Sequence, residues 1–205
     1  MSKICLITDL HFGARNASTI ILDHQELFYK TCFIPYLDNN KIDTVICLGD
    51  TFDSRKYTNN YVINQCKRML FDELQSRNIQ IYMIVGNHDS AFRNTVSINT
   101  VELLLCEYDN VIPISEPKTV TIHDTDIFLT PWLCQDNSDS IMDEMRKTSA
   151  DICMGHWEIQ NFLMYRGTES HGGLPQATFN KFAQTFSGHY HHRRSEEHTS
   201  ELQSH

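Results

Sequence analysis

No stretch of this 205-residue chain approaches the run of about 20 apolar residues that a membrane-spanning helix needs, which excludes an integral helical membrane protein. The opening Met1-Ser2-Lys3-Ile4-Cys5-Leu6-Ile7-Thr8 lacks the longer apolar stretch and small-residue cleavage site of a secretory leader. The chain is therefore expected to stay in the cytoplasm where it is made. Proline (5) and glycine (8) are sparse, and no linker of these residues, internal repeat or low-complexity block divides residues 1–193. A CxxC pair is absent. The seven cysteines stand at 5, 32, 47, 66, 106, 134 and 153, several inside apolar runs such as Val45-Ile46-Cys47-Leu48 and Ile152-Cys153-Met154. That usage predicts reduced thiols serving as small core residues and argues against a disulfide framework or a zinc knuckle. Positive charge is also short: 17 Lys and Arg against 26 Asp and Glu give a net −9. A general nucleic-acid binder is usually basic, so that class is disfavoured, although bound cations can reverse the sign of a local site.

From Arg194 to His205 the chain reads Arg-Ser-Glu-Glu-His-Thr-Ser-Glu-Leu-Gln-Ser-His, polar with a single apolar residue. This segment resembles the in-frame translation of a sequencing adapter and is expected to be a non-native tail that packs on nothing. Without its one Arg and three Glu, 16 basic residues face 23 acidic ones, a net −7.

Within residues 1–193, short β-branched runs alternate with longer amphipathic ones. Strands are predicted at Ile4–Thr8, Thr44–Leu48, Ile79–Val85, Val111–Ile114, Thr119–Ile122, Ile127–Thr130, Ile152–Met154 and Gln184–Ser187. Helices are predicted near Leu22–Asn39, Asn59–Ser76, Ser97–Glu107 and Ser138–Thr148. The second shows helical spacing in Val62, Cys66, Met69, Leu70 and Leu74. The order of elements predicts an α/β sandwich with largely internal sheets.

The residues that carry chemistry all follow predicted strands. They are Asp9-Leu10-His11, Gly49-Asp50, Gly86-Asn87-His88-Asp89, Gly155-His156 and Gly188-His189-Tyr190-His191. In open α/β sheets, sites form at the carboxyl ends of strands, so these five loops should converge. Four of the eight glycines directly precede the polar residues, letting the chain turn out of the sheet. Two Asp, one Asn and four His, with no thiolate, suit manganese, iron, zinc or a mixed pair, and calcium poorly. Asp50, with two oxygens, is the natural bridge. Seven ligands with one shared supply four donors to each of two ions. Such a pair, about 3.5–4 Å apart, can clamp a phosphate, share a hydroxide and stabilise both the attacking and leaving oxygens. Asp-x-His or Gly-Asp alone would mean little; five motifs in this order, each after a strand, point to a two-metal site.

With these motifs the sequence resembles the calcineurin-like metallophosphoesterases, and within them the SbcD-type DNA-repair nucleases of the phage recombination branch. Supporting stretches include Gly49–Lys56, Ile84–Asp89, Thr130-Pro131-Trp132-Leu133-Cys134, Gly155-His156-Trp157-Glu158 and Gly167–Gly172. The resemblance implies a four-layer αββα sandwich with mixed sheets over residues 1–193, lacking its last strands, with 194–205 outside it. It implies a first ion held by Asp9, His11, Asp50 and His191, and a second by Asp50, Asn87, His156 and His189. His88 would be the acid that protonates the leaving oxygen. The ions implied are Mn2+, with Mg2+, Fe2+ or Zn2+ as alternatives. Partners implied are DNA, an SMC-like ATPase subunit of the SbcC type and a second copy of the chain, with no membrane. The activity implied is DNA exonuclease or endonuclease cleavage in recombination, repair and recombination-dependent replication, in the cytoplasm of a phage host. A phosphomonoesterase or protein phosphatase on the same scaffold and a catalytically silent scaffold for the ATPase are the competing readings.

Asp53 departs from the cellular SbcD-type pattern, which has histidine there; protein phosphatases have aspartate. Its carboxylate is expected to accept a hydrogen bond from His88 and raise that ring's basicity. Arg15, Arg55, Lys56 and Arg93 each follow a motif by a few residues and are expected to rim the site against flanking phosphates. Trp132 and Trp157 read as packing residues, and Phe12 as the better base-stacking candidate.

Overall fold

The structure, a computed structural model, describes residues 3–165 and 168–191. Gly167, His192 and the segment from Arg194 to His205 lie outside them. Two four-stranded sheets carry the fold. The first has the order β1 (Ile4–Ile7), β2 (Thr44–Cys47), β3 (Gln80–Ile84), β4 (Val111–Ile114), all parallel. The second contains β5 (Lys118–Ile122), β6 (Thr125–Leu129), β7 (Ile152–Gly155) and, after a hairpin of β8 (Leu163–Tyr165) and β9 (Thr168–Glu169), β10 (Gln184–Ser187). Its order is β10-β7-β6-β5, with β5 antiparallel to β6 and the other pairs parallel.

Period-two alternation along the strands creates three apolar layers and therefore a four-layer αββα sandwich. On β2 and β3, Val45, Cys47, Ile81 and Met83 face outward and pack under Leu22, Phe33, Leu37, Leu70 and Leu74 of two long helices. Their neighbours Ile46, Leu48, Tyr82 and Ile84 face inward and meet Ile127, Leu129 and Met154 of the second sheet. The opposite side of that sheet sends Phe128 and Cys153 against Ile141 and Met145 of the helix Ser138–Lys147 and against Trp157, Phe179 and Phe182.

The two long helices run over residues 19–40 and 60–76, each with a π-helical turn, Tyr29–Phe33 and Lys67–Phe71. In the first, the turn ends one residue before Ile34-Pro35, and Pro35 has no N–H to continue the ladder. Asn59 caps the second through its side chain, which accepts from the Tyr61 amide at 2.8 Å. Predicted strand positions agree to within one or two residues. The predicted helix Ser97–Glu107 contracts to Thr100–Leu104, because Asn99 caps it by accepting from the Glu102 amide, and residues 97–99 remain in the preceding loop. The short hairpin of β8 (Leu163–Tyr165) and β9 (Thr168–Glu169) is absent from the predicted strands, since such brief spans leave little periodic signal.

All seven cysteines are free, and Cys47, Cys66, Cys134 and Cys153 are buried as expected. Cys32 and Cys106 are exposed, which corrects the reading of every thiol as a core residue. No helix among the described residues is long and apolar enough to cross a membrane. β1 and β10 end their sheets on the same side, above a cleft of about 460 Å³ lined by Ile4, Leu6, Ile127, Met154 and Phe186. None of the motif residues lines it.

Candidate metal centre

The first two motif loops leave the sheet side by side and extend the β1–β2 ladder beyond its last strand residues. The Asp9 amide donates to Gly49 O at 3.0 Å, His11 to Asp50 O at 3.0 Å and Phe12 to Thr51 O at 2.9 Å. The Asp53 amide then donates back to Phe12 O at 3.1 Å. This continued pairing fixes Asp9, His11, Asp50 and Asp53 relative to one another. Asp9 (φ 51°), His11 (φ 44°), Asp50 (φ 53°) and His189 (φ 81°) all adopt left-handed backbone. Such conformations cost about 1–3 kcal/mol each in a non-glycine residue and cluster where side chains must be aimed at a site.

The third loop is packed as closely as an absent side chain allows. A Cβ on Gly86 would lie 2.2 Å from Asp50 Oδ1, so only glycine admits that carboxylate. Asp89, fully buried, holds the two loops together: its Oδ1 accepts from the Thr51 and Phe52 amides at 2.9 and 3.1 Å, its Oδ2 from Gly86 at 2.9 Å. The His88 amide adds a bond to Asp50 Oδ1 at 2.8 Å.

Seven side chains meet above these strand ends in two adjoining groups. In one, His11 Nε2 lies 3.1 Å from His191 Nε2 and 3.8 Å from Asp9 Oδ1, and His191 Nε2 lies 3.6 Å from that same oxygen. In the other, Asn87 Oδ1 lies 2.9 Å from His156 Nε2 and 3.1 Å from His189 Nδ1. Asp50 Oδ2 faces both, 3.8 Å from His11 Nε2 and 3.3 Å from His156 Nε2. Asp9 is held by the Thr8 hydroxyl at 2.6 Å and by the His189 amide at 3.2 Å.

This donor set fits a pair of cations. The Nδ1 of His156 lies 2.7 Å from Leu48 O, which only accepts, so Nδ1 carries the proton and Nε2 presents a lone pair to Asp50 and Asn87. Acceptors facing acceptors are stabilised by a positive centre between them, a proton or a cation. Burial lowers the His156 pKa, yet the hydrogen bond and charge of Asp50 outweigh it and raise it overall, so a proton is drawn to the place where a cation would also be stabilised. Burial raises the Asp50 carboxyl, but His156 and the His88 amide hold it down at about 2. His189 is pushed down to about 4, by burial first and by His156 second, which keeps its ring neutral at ordinary pH. The buried atoms His11 Nδ1 and His189 Nε2 have no hydrogen-bond partner.

Sequence comparison agrees with this arrangement: the profile of the family described as calcineurin-like phosphoesterase matches residues 2–193. The chain belongs to that family. It is 34% identical over 189 residues to the protein named exonuclease subunit 1 of Enterobacteria phage T4, covering 92% of this chain. The chain spans 55% of that relative's length. Among solved structures, a protein of unknown function from Aquifex aeolicus aligns over 93% of this chain and 90% of its own, with a TM-score of 0.50 and 16% identity. That likeness concerns the fold.

His88 stands beside these two groups of side chains, its ring centroid 5.0 Å from that of His11. Its Nδ1 donates to Asp53 at 2.6 Å, but to the main-chain carbonyl. The expectation that the Asp53 carboxylate takes this bond is therefore corrected. The φ/ψ path of the loop turns the carbonyl toward His88 and leaves the carboxylate 3.4 Å from His11 Nδ1. Arg55 is half-buried near the centre: burial lowers its pKa most, Arg93 adds to that and Asp50 opposes it. Arg15 and Lys56 are exposed. Phe12 is not free to stack on a base, since it is buried against Tyr29 at a centroid distance of 5.8 Å. Trp157 is core as expected, its indole N–H bonded to Thr130 Oγ1 at 2.8 Å. Trp132 packs its ring 5.9 Å from His156 and 5.1 Å from His189 and so walls the second group. The supporting roles of Asp89 and Trp132 escaped sequence reading; the position of Asp89 inside Gly-Asn-His-Asp was the available signal.

Proposed function

We propose that this chain is a two-metal phosphodiesterase acting on DNA, with Asp9, His11, Asp50 and His191 holding one divalent cation and Asp50, Asn87, His156 and His189 the other. The observation that carries the reading is the convergence of seven lone-pair donors, with Asp50 Oδ2 between the two groups. The ions, with Mn2+ preferred, would supply Lewis acidity toward the phosphate and a water acidified into a nucleophile near neutral pH. Two divalent charges against two carboxylates leave the site positive, which attracts a phosphodiester to an otherwise acidic chain. His88 has its Nδ1–H committed to the Asp53 carbonyl, so Nε2 is the atom that carries and delivers a proton to the departing sugar oxygen. Arg55, Arg93, Lys56 and Arg15 would line the approach of flanking phosphates.

DNA as substrate, a larger nuclease assembly and a role in recombination and repair are supported by the relative's name, exonuclease subunit 1, together with the family resemblance. The latter is also the ground for an SMC-like ATPase partner, a second copy of the chain and a site of action in the host cytoplasm. Digestion of linear DNA with added Mn2+ tests the reading against release of nitrophenol from a phosphate monoester. Cleavage of DNA is expected, reduced about 10²–10⁴-fold by His88→Ala with Mn2+ binding retained. Efficient monoester turnover with intact DNA would assign the site to a phosphatase instead.

A further inference from the structure

We propose that Asp53 is a positioning residue for His11: its carboxylate takes the Nδ1–H of that imidazole and so fixes the tautomer that turns a bare Nε2 toward the first cation. The inference rests on the two-cation reading above. A neutral imidazole has one donor nitrogen and one acceptor nitrogen. Nε2 of His11 faces His191 Nε2 at 3.1 Å and carboxylate oxygens of Asp9 and Asp50 at 3.8 Å, so it must offer a lone pair to serve as a ligand. The proton then belongs on Nδ1. That atom is buried and has no hydrogen-bond partner, and the acceptor beside it is Asp53 Oδ1 at 3.4 Å.

The backbone explains why the two side chains face each other. The Asp53 amide is tied to Phe12 O and the Phe12 amide to Thr51 O, so the residue after His11 and the residues around Asp53 are locked in parallel register. His88 needs nothing from the Asp53 side chain, because its own Nδ1 is satisfied by the Asp53 carbonyl. One residue thus serves two histidines through different atoms: the main chain orients the acid, and the side chain orients a ligand. A carboxylate behind a metal-bound imidazole fixes ring orientation and raises its basicity, and losing such a partner typically weakens metal affinity about 10–100-fold.

The test is a Mn2+ titration of the metal-free 205-residue chain, followed by electron paramagnetic resonance, with wild type, Asp53→Ala and Asp53→Asn. Wild type is expected to bind two ions. Asp53→Ala should weaken one of them about 10–100-fold, and Asp53→Asn, which keeps an acceptor oxygen of similar size, should fall between. Nitrogen-15 shifts of the His11 ring should report one tautomer in wild type and a mixture in Asp53→Ala. In both variants the Mn2+ concentration needed for half-maximal DNA cleavage should rise in step with the weakened affinity, which separates a metal-positioning role from loss of the His88 contact. If Asp53→Ala does not fold, Asp53→Asn decides by its metal affinity. Unchanged affinity in the variants overturns the proposal, as does lost kcat at saturating metal with affinity intact. A third Mn2+ bound through the Asp53 carboxylate in wild type would also overturn it. Wild type that binds no Mn2+ at all would instead remove the two-cation reading.

Discussion

Replacing Asp89 with Asn should change how the stability of the metal-free protein depends on pH. Asp89 is fully buried, and burial first, then the charge of Asp50, pushes its carboxyl from an ordinary 3.8 up to about 6, against the opposing amides of Gly86 and Phe52. A rise of a little over two pH units, at 1.36 kcal/mol each, corresponds to about 3 kcal/mol. Because the folded pKa is raised, the folded state keeps a proton that the unfolded chain has released. Stability therefore falls as pH rises between these two values, and the full cost is present above about pH 6. Other carboxylates and histidines titrate in the same window, but the Asn variant shares them. Asn keeps an oxygen for the Thr51 and Phe52 amides and sets its NH2 against the Gly86 amide, a penalty of about 1–3 kcal/mol that does not vary with pH. Urea unfolding in the presence of a chelator should show wild type losing about 3 kcal/mol relative to Asp89→Asn as pH rises from about 3.5 to about 7. A difference that is flat to within about 0.5 kcal/mol, or one that grows in favour of wild type, would refute the reasoning.

Two further outcomes follow from the geometry. Gly86→Ala places a Cβ 2.2 Å from Asp50 Oδ1 and 2.3 Å from Asp50 N, so it should abolish Mn2+ binding at the shared carboxylate while circular dichroism stays native; a variant that titrates like wild type would contradict the close packing. Neutralising Arg55 and Arg93 together should flatten the log–log salt dependence of DNA binding by about two, since each phosphate that a side chain neutralises adds nearly one to the slope. An unchanged slope would make them ordinary surface charges.

Much of the molecule could be read from one dimension. Unbroken apolar runs at Val45-Ile46-Cys47-Leu48 and at Ile81-Tyr82-Met83-Ile84 announced strands of internal sheets, and those residues do divide between the outer and inner apolar layers. Local signals failed where a specific bond or a short span decided the outcome. Asn99 closed the helix start at Thr100 through one side-chain bond, and the β8–β9 strands were too brief to carry a pattern. Phe12 looked free because it follows a motif residue, but the loop that aims His11 turns the next side chain into the core.

Residue chemistry and strand-end position belong to the sequence alone: which side chains bear lone pairs, and that glycine precedes four of the five motifs, can be read without coordinates. Partnership could not be read in this way. Whether Asp53 meets His88 with its carboxylate or its carbonyl, and that the carboxylate lies instead 3.4 Å from His11 Nδ1, depends on the torsions of a loop paired across the sheet edge to Phe12. A hydrogen bond is decided by tenths of an ångström and by direction, and only the packed fold, with its four strained φ angles around the centre, sets those.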